Sequence, residues 1–183
     1  MKYQLVALFD EDSNSKIRAY QRSICKRYKL YKNNPELYIP LSFIDDNNYD
    51  LIEQIIQKTL TPYKQFKIKL NNSVIVTEKN KMVNIEVDSK GYVSRIARNI
   101  NSSFEDYRVS CSTISEESSD AIYLPIASMN YTIKKACSTS PLTVYKDCEY
   151  LSYIKVNRVE LWKLSPSGKK EKTLVKTFNL KSF

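Results

Sequence analysis

Apolar positions along the chain recur in two periods, and the switches between them mark out the elements. Tyr3-Gln-Leu-Val-Ala-Leu-Phe9 is a short apolar run closed by acids, which suits a buried strand. Asp12 or Ser13 offers an N-cap. Ile17, Tyr20, Ile24, Cys25 and Tyr28 then recur at helical spacing, with basic side chains opposite, and predict a helix over 13–30. Leu37 to Ile44 reads as the next strand. Asp45, Asp46 and Asn47 can cap a second helix carrying Leu51, Ile52, Ile55, Ile56, Thr59 and Leu60, with Pro62 just beyond. Phe66-Lys-Ile-Lys-Leu70 alternates strictly, and Val74–Thr77 and Met82–Val87 extend it to two or three antiparallel strands. Asp88 or Ser89 caps a third helix over 89–104, with Val93, Ile96, Ala97, Ile100 and Phe104 on one stripe. Ser102 to Asp120 is serine-rich and reads as a long loop, Ile122–Met129 returns to strand, and Lys134–Asp147 fits neither period. Tyr153–Leu164 and Thr173–Leu180 form a hairpin around Ser165-Pro-Ser-Gly168, with Trp162 and Phe178 as core. Three helices among seven or more strands, without βαβ alternation, predict an α+β fold in a single domain spanning residues 1–183.

An internal repeat sharpens this. Leu37-Tyr38-Ile39-Pro40-Leu41-Ser42-Phe43 and Ile122-Tyr123-Leu124-Pro125-Ile126-Ala127-Ser128 share the order apolar, Tyr, aliphatic, Pro, aliphatic, small, and each follows a capped helix. The 85-residue spacing suggests two equivalent lobes, each presenting one such strand. A proline inside a strand cannot donate to the ladder, so part of each strand is left unpaired. Period-two geometry groups Tyr38, Pro40 and Ser42 on one face, opposite Leu37, Ile39, Leu41 and Phe43. It likewise groups Tyr123, Pro125 and Ala127 opposite Ile122, Leu124 and Ile126. The aliphatic sets read as core, so the tyrosine sets face outward or into a cleft.

Composition then removes whole classes of chemistry. The 183-residue chain has no histidine, which excludes Ser-His and Cys-His nucleophile pairs and histidine-ligated zinc. Its two glycines, Gly91 and Gly168, lie too far apart for a phosphate-cradling glycine loop. Cys25, Cys111, Cys137 and Cys148 contain no CxxC pair, so no metal and no cofactor are expected. The N-terminal apolar run is too short for a signal peptide or a membrane span, and the expectation is a cytoplasmic protein with reduced thiols and no membrane partner. The formal charge of +9 favours polyanionic partners. Its basic residues cluster along 16–32 and from Lys155 to Lys181.

The two Tyr-x-Pro strands, the helix before each, and the closing Val159-Glu-Leu-Trp-Lys-Leu-Ser165 with Phe178-Asn-Leu180 resemble the 2H phosphoesterase superfamily, the 2′-5′ RNA ligase-like and cyclic phosphodiesterase-like proteins. The order of elements matches over nearly the whole length. The resemblance implies two pseudo-symmetric lobes, antiparallel sheets forming a central groove, and helices on the outside. It also implies one H-x-T/S motif on each of the two strands. Here both histidine positions hold tyrosine, Tyr38 and Tyr123, and both hydroxyl positions hold proline, Pro40 and Pro125.

That substitution decides the chemistry expected. A general acid–base group works best with a pKa near the operating pH, and a phenol near 10 is a poor base at neutrality. It remains a hydrogen-bond donor to phosphate, whereas proline supplies neither hydroxyl nor N–H. The residues expected to line a ligand groove are Tyr38, Pro40, Ser42, Tyr123 and Pro125, none of them assigned a catalytic role. Three readings stay open: an inactive 2H-like protein binding RNA, a nucleotide or another phosphate ligand; a phosphodiesterase with rewired residues; and a protein-interaction module on the same fold.

Overall fold

The computed structural model describes residues 1–30, 36–77, 81–88, 90–113, 121–131, 133, 135, 142–143, 153–165 and 172–182. In chain order the elements are β1 (Lys2–Phe9), α1 (Glu11–Arg27), β2 (Ile39–Asp45), α2 (Tyr49–Leu60), β3 (Phe66–Ile68), β4 (Leu70–Thr77), β5 (Met82–Val87), α3 (Gly91–Asp106), β6 (Cys111–Thr113), β7 (Tyr123–Ser128), β8 (Leu142–Thr143), β9 (Ile154–Leu164) and β10 (Lys172–Asn179). Two antiparallel sheets divide them. One has the order β10-β9-β1-β2-β6 with β3 also on β9; the other has the order β7-β5-β4-β8. The two motif strands fall in different sheets, β2 in the first and β7 in the second, yet their backbones approach with Cα atoms within 8 Å. Among the described residues no helix is long and apolar enough to cross a membrane.

The apolar stripes read from the sequence form one core shared by both sheets. Leu5 and Ala7 of β1, Ile39 and Ile44 of β2, Val83 and Ile85 of β5, and Leu124 and Ile126 of β7 are all buried there. Helices contribute Ile17 and Ile24, Ile52 and Ile56, and Ile96, Ile100 and Phe104. Each fully buried side chain of this size stabilises the fold by about 1.5–3 kcal/mol.

Helix starts depart from expectation. α1 is capped by Asp10, whose carboxylate accepts the Ser13 N–H at 2.9 Å, and not by Asp12 or Ser13. α2 is capped by Asn48, accepting the Leu51 N–H at 3.2 Å, and not by residues 45–47. α3 has Lys90 at its N-cap position with no side-chain cap; Asp88 pairs instead with Lys69 at 2.9 Å, and Ser89 lies outside the described residues. Runs of several capping residues leave the choice to tertiary contacts. The helix ends are alike. Tyr28 and Tyr107 are C-caps, and Lys29 (φ 52°) and Arg108 (φ 57°) follow in the left-handed region. The Leu30 N–H then donates to the Cys25 carbonyl and the Val109 N–H to the Phe104 carbonyl, each at 2.9 Å. A left-handed non-glycine residue costs about 1–2 kcal/mol, and both lobes accept it at the same turn.

The serine-rich stretch is not a continuous loop. α3 runs on to Asp106, anchored by the fully buried Phe104, and Cys111–Thr113 adds an edge strand to β2. Residues 114–120 lie outside the described residues, as do 166–168 of the expected Ser165–Gly168 turn and most of Lys134–Asp147.

Candidate functional site

Both motif strands carry a β-bulge at the same place. In β2, Pro40 pairs with Val6 and Ser42 with Leu5, so Leu41 is the extra residue. In β7, Pro125 pairs with Asn84 and Ala127 with Val83, so Ile126 is the extra residue. A residue without an N–H cannot continue the ladder, and the strand absorbs the interruption one position later. The repeat in sequence is thus a repeat in backbone geometry.

The bulge also corrects the parity read from the sequence. Tyr38 and Pro40 stay on the face away from the main core, but Ser42 crosses to the core side and is fully buried. Its Oγ donates to Asn101 Oδ1 on α3 at 2.7 Å. Phe43, expected in the core, points outward at 39% exposure. In β7 the same shift buries Ala127 and leaves Tyr123, Pro125 and Ser128 half-exposed.

Each motif strand is gripped by a helix from the other half of the chain. Gln21 of α1, fully buried, donates through Nε2 to the carbonyl of the bulged Ile126 at 2.6 Å. Asn101 of α3 receives the Ser42 hydroxyl, while its own Nδ2 has no partner among the described residues. Both polar residues lie on otherwise apolar helix stripes, and that misplacement was the sequence signal for them.

Around Tyr38 the outward face of the first sheet is built up. Val6, Leu8 and Trp162 form a second, smaller apolar cluster against which Tyr38 packs. The Tyr38 and Trp162 rings meet edge to face at 4.9 Å. Lys172 of β10 reaches over both, with Nζ 4.1 Å from the Tyr38 centroid, 4.8 Å from the Trp162 centroid, and 2.6 Å from the Tyr38 hydroxyl. Cation–π contacts of this kind contribute about 0.5–2 kcal/mol each and hold the ammonium in place. Glu160, buried beneath, receives Trp162 Nε1 and Arg158 Nε, each at 2.8 Å, so its charge is taken up below the surface. Arg158 is anchored in turn on the Phe9 carbonyl at 3.0 Å. Trp162 is buried as expected, but in the small cluster with Val6 and Leu8 and not in the main core. Among the described residues the C-terminal basic cluster places Lys172 against Tyr38 and Arg158 on the Glu160 beneath. The basic face of α1 stays at the surface, where Lys16 pairs with Asp12.

The Tyr123 half is furnished differently. Its register partner across the ladder is Glu86, half-exposed on the same face, and its hydroxyl has no hydrogen-bond partner among the described residues. The two halves present a cation beside one tyrosine and a carboxylate beside the other. The first suits a phosphate; the second suits hydroxyl or N–H donors.

No family model matches the chain, and no curated protein matches its sequence. Solved structures do match in fold. LigT of E. coli in apo form aligns with TM-score 0.67 at 10% identity, covering 98% of this chain and 97% of its own. TT0787 of Thermus thermophilus aligns with TM-score 0.67 at 12% identity, covering 100% and 99%. Usb1 of Kluyveromyces marxianus aligns with TM-score 0.56 at 11% identity, covering 98% and 97%. These are 2H phosphoesterase superfamily proteins, and the fold of this chain is theirs: α+β, with curled antiparallel sheets and helices α1, α2 and α3 among the described residues. E. coli LigT has been solved in complex with NADP+, ATP, 3′-AMP and phosphate.

Proposed function

We propose that the groove between the two Tyr-x-Pro strands binds a nucleotide or an RNA end without turning it over. The observation that carries this is the pairing of Lys172 with Tyr38 at a motif position, in a chain without histidine. Lys172 Nζ and the Tyr38 hydroxyl are adjacent donors for phosphate oxygens. Tyr123 and Glu86 offer an acceptor-rich counterpart for ribose hydroxyls or base N–H groups. Pro40 and Pro125 line the groove between them and contribute no donors. Ser42 acts from behind, fixing β2 onto α3. Proton transfer by a positioned group is worth about 10²–10⁴-fold, and the imidazoles that would supply it are missing from both positions. The phosphate-binding chemistry of the fold is retained while the proton chemistry is lost.

Titration calorimetry with 3′-AMP, inorganic phosphate and adenosine at two ionic strengths tests this reading. The expected result is binding of 3′-AMP, weaker binding of phosphate, and a loss of about tenfold or more in Lys172→Ala, as for a charge-assisted hydrogen bond. No heat with 3′-AMP at low salt from a folded sample would refute it. So would turnover of a 2′,3′-cyclic phosphate near one per second.

A further inference from the structure

A second feature lies at the other end of β9, away from the groove. A cavity of about 550 Å³ opens at the edge where β3 pairs with β9, lined by Tyr63, Lys64, Phe66, Lys67, Tyr92 and Lys155, with no acidic lining residue among the described residues. Lys67 and Lys155 face each other directly across the ladder. Like charges in that position destabilise a sheet, and a polyanion laid across them removes the repulsion. Lys155 also attracts the Asp10 carboxylate, whereas Lys67 is exposed and makes no ion pair among the described residues.

Beside the lysines stands an aromatic stack. Tyr92, 54% exposed, lies nearly parallel on Phe66, with centroids 5.3 Å apart and planes at 20°. The guanidinium of Arg95, an exposed side chain, lies 5.9 Å from the Tyr92 centroid. Phe66 is buried, so the exposed Tyr92 ring rests on a packed support. A stacked, exposed ring and two facing lysines that line one cavity are the elements of a single-stranded nucleic-acid track: bases stack on the ring, and phosphates sit on the lysines. An acidic peptide would use the lysines and leave the stack without purpose. A membrane surface would use neither the cavity nor the parallel rings.

We infer that the Lys67–Lys155 pair with the Phe66–Tyr92–Arg95 stack binds single-stranded polynucleotide at a site separate from the central groove. Lys155 and Trp162 are separated by about 20 Å of extended strand, so one chain of several nucleotides can occupy either site alone. The inference does not rest on the nucleotide reading of the groove.

Fluorescence anisotropy with labelled twelve-residue single strands, one RNA and one DNA, tests it. For Lys67→Ala combined with Lys155→Ala, the affinity at low salt is expected to fall about tenfold. The slope of log affinity against log salt should flatten by about 1.4, since two phosphate contacts disappear. Tyr92→Ala should weaken binding about tenfold, while Tyr92→Phe keeps the ring and stays within about twofold of wild type. Arg95→Ala serves as a second stack variant should Tyr92→Ala unfold, and thermal melting verifies folding throughout. Binding of both strands, or of RNA alone, supports the site. Unchanged affinity and slope in the lysine variant would overturn it. So would an equal loss toward polyglutamate, damage from Tyr92→Phe as large as from Tyr92→Ala, or equal affinity for duplex. Should 3′-AMP fail to bind while the twelve-residue strand still depends on Tyr92 and Lys67, the groove reading falls and this one stands.

Discussion

The two motif strands share a backbone and differ in almost everything attached to it. β2 and β7 each have proline followed by a bulged residue, and each is held by a buried polar side chain from a helix of the other half. Yet Tyr38 rests on a tryptophan and is capped by a lysine, while Tyr123 stands beside a glutamate. Backbone geometry here is a product of sheet pairing and the missing proline N–H, so any sequence that keeps the pattern keeps the bulge. Side-chain chemistry has no such constraint. A repeated backbone therefore carries side-chain chemistry that differs between its two copies.

The sharpest way to break the comparison is to remove the support that only the first half possesses. Trp162→Ala deletes the largest side chain of the small cluster under Tyr38 and takes the indole donor from the buried Glu160. A loss of about 3–5 kcal/mol is expected from denaturant unfolding, as for other large aromatic truncations. Should the variant lose less than about 1 kcal/mol, the cluster is an ornament of the surface and the asymmetry has no energetic basis.

The helix grips separate the halves more finely. Gln21→Leu leaves the bulged Ile126 carbonyl buried without its donor, and should destabilise by about 2 kcal/mol. Asn101→Leu is milder, under about 1 kcal/mol, because it also removes an Nδ2 that has no partner among the described residues and leaves the Ser42 hydroxyl within 3.4 Å of the Ser112 carbonyl. Equal losses in urea titrations would mean that the two grips are energetically equivalent and that the orphaned amide costs nothing.

Much of this architecture was legible in the sequence because it rests on local pattern. The three apolar stripes mark the helices, the closing hairpin follows from its alternation, and the Tyr-x-Pro match pairs the two motif strands. The bulge was not legible: one extra residue leaves the composition of a strand unchanged while reversing the side of everything after it, which is why Ser42 and Phe43 exchanged places. Lys172 and Glu86 were missed for a different reason. Each comes from a strand far along the chain, and only sheet order brings it beside a tyrosine. The matched helix ends, Tyr28-Lys29-Leu30 and Tyr107-Arg108-Val109, were present in the sequence as a second copy of the repeat.

The leads into the two motif strands differ once more at the helix starts, and this yields the smallest effect. Asp10 caps α1, whereas α3 begins at Lys90 in right-handed geometry, with no side-chain cap and no acid in its first turn. Burial pushes the Asp10 carboxyl up, but hydrogen bonds from the Ser13 side chain and N–H, with Lys155 and Lys16 nearby, outweigh that and hold it below its ordinary value of 3.8. A carboxyl depressed by folding contributes stability that is complete above its unfolded pKa and is lost as pH falls through its folded one. Asp10→Ala should therefore cost about 1 kcal/mol at pH 7, as other lost caps do, and the gap from wild type should close as the pH drops below 3.8. Asp88→Ala, at the start of α3, breaks only a surface pair with Lys69 and should leave stability unchanged within error at either pH. Urea titrations of the three proteins at pH 7 and pH 3 decide the matter: a gap for Asp10→Ala that is as wide in acid as at neutrality would show that the carboxylate charge does not hold this helix end.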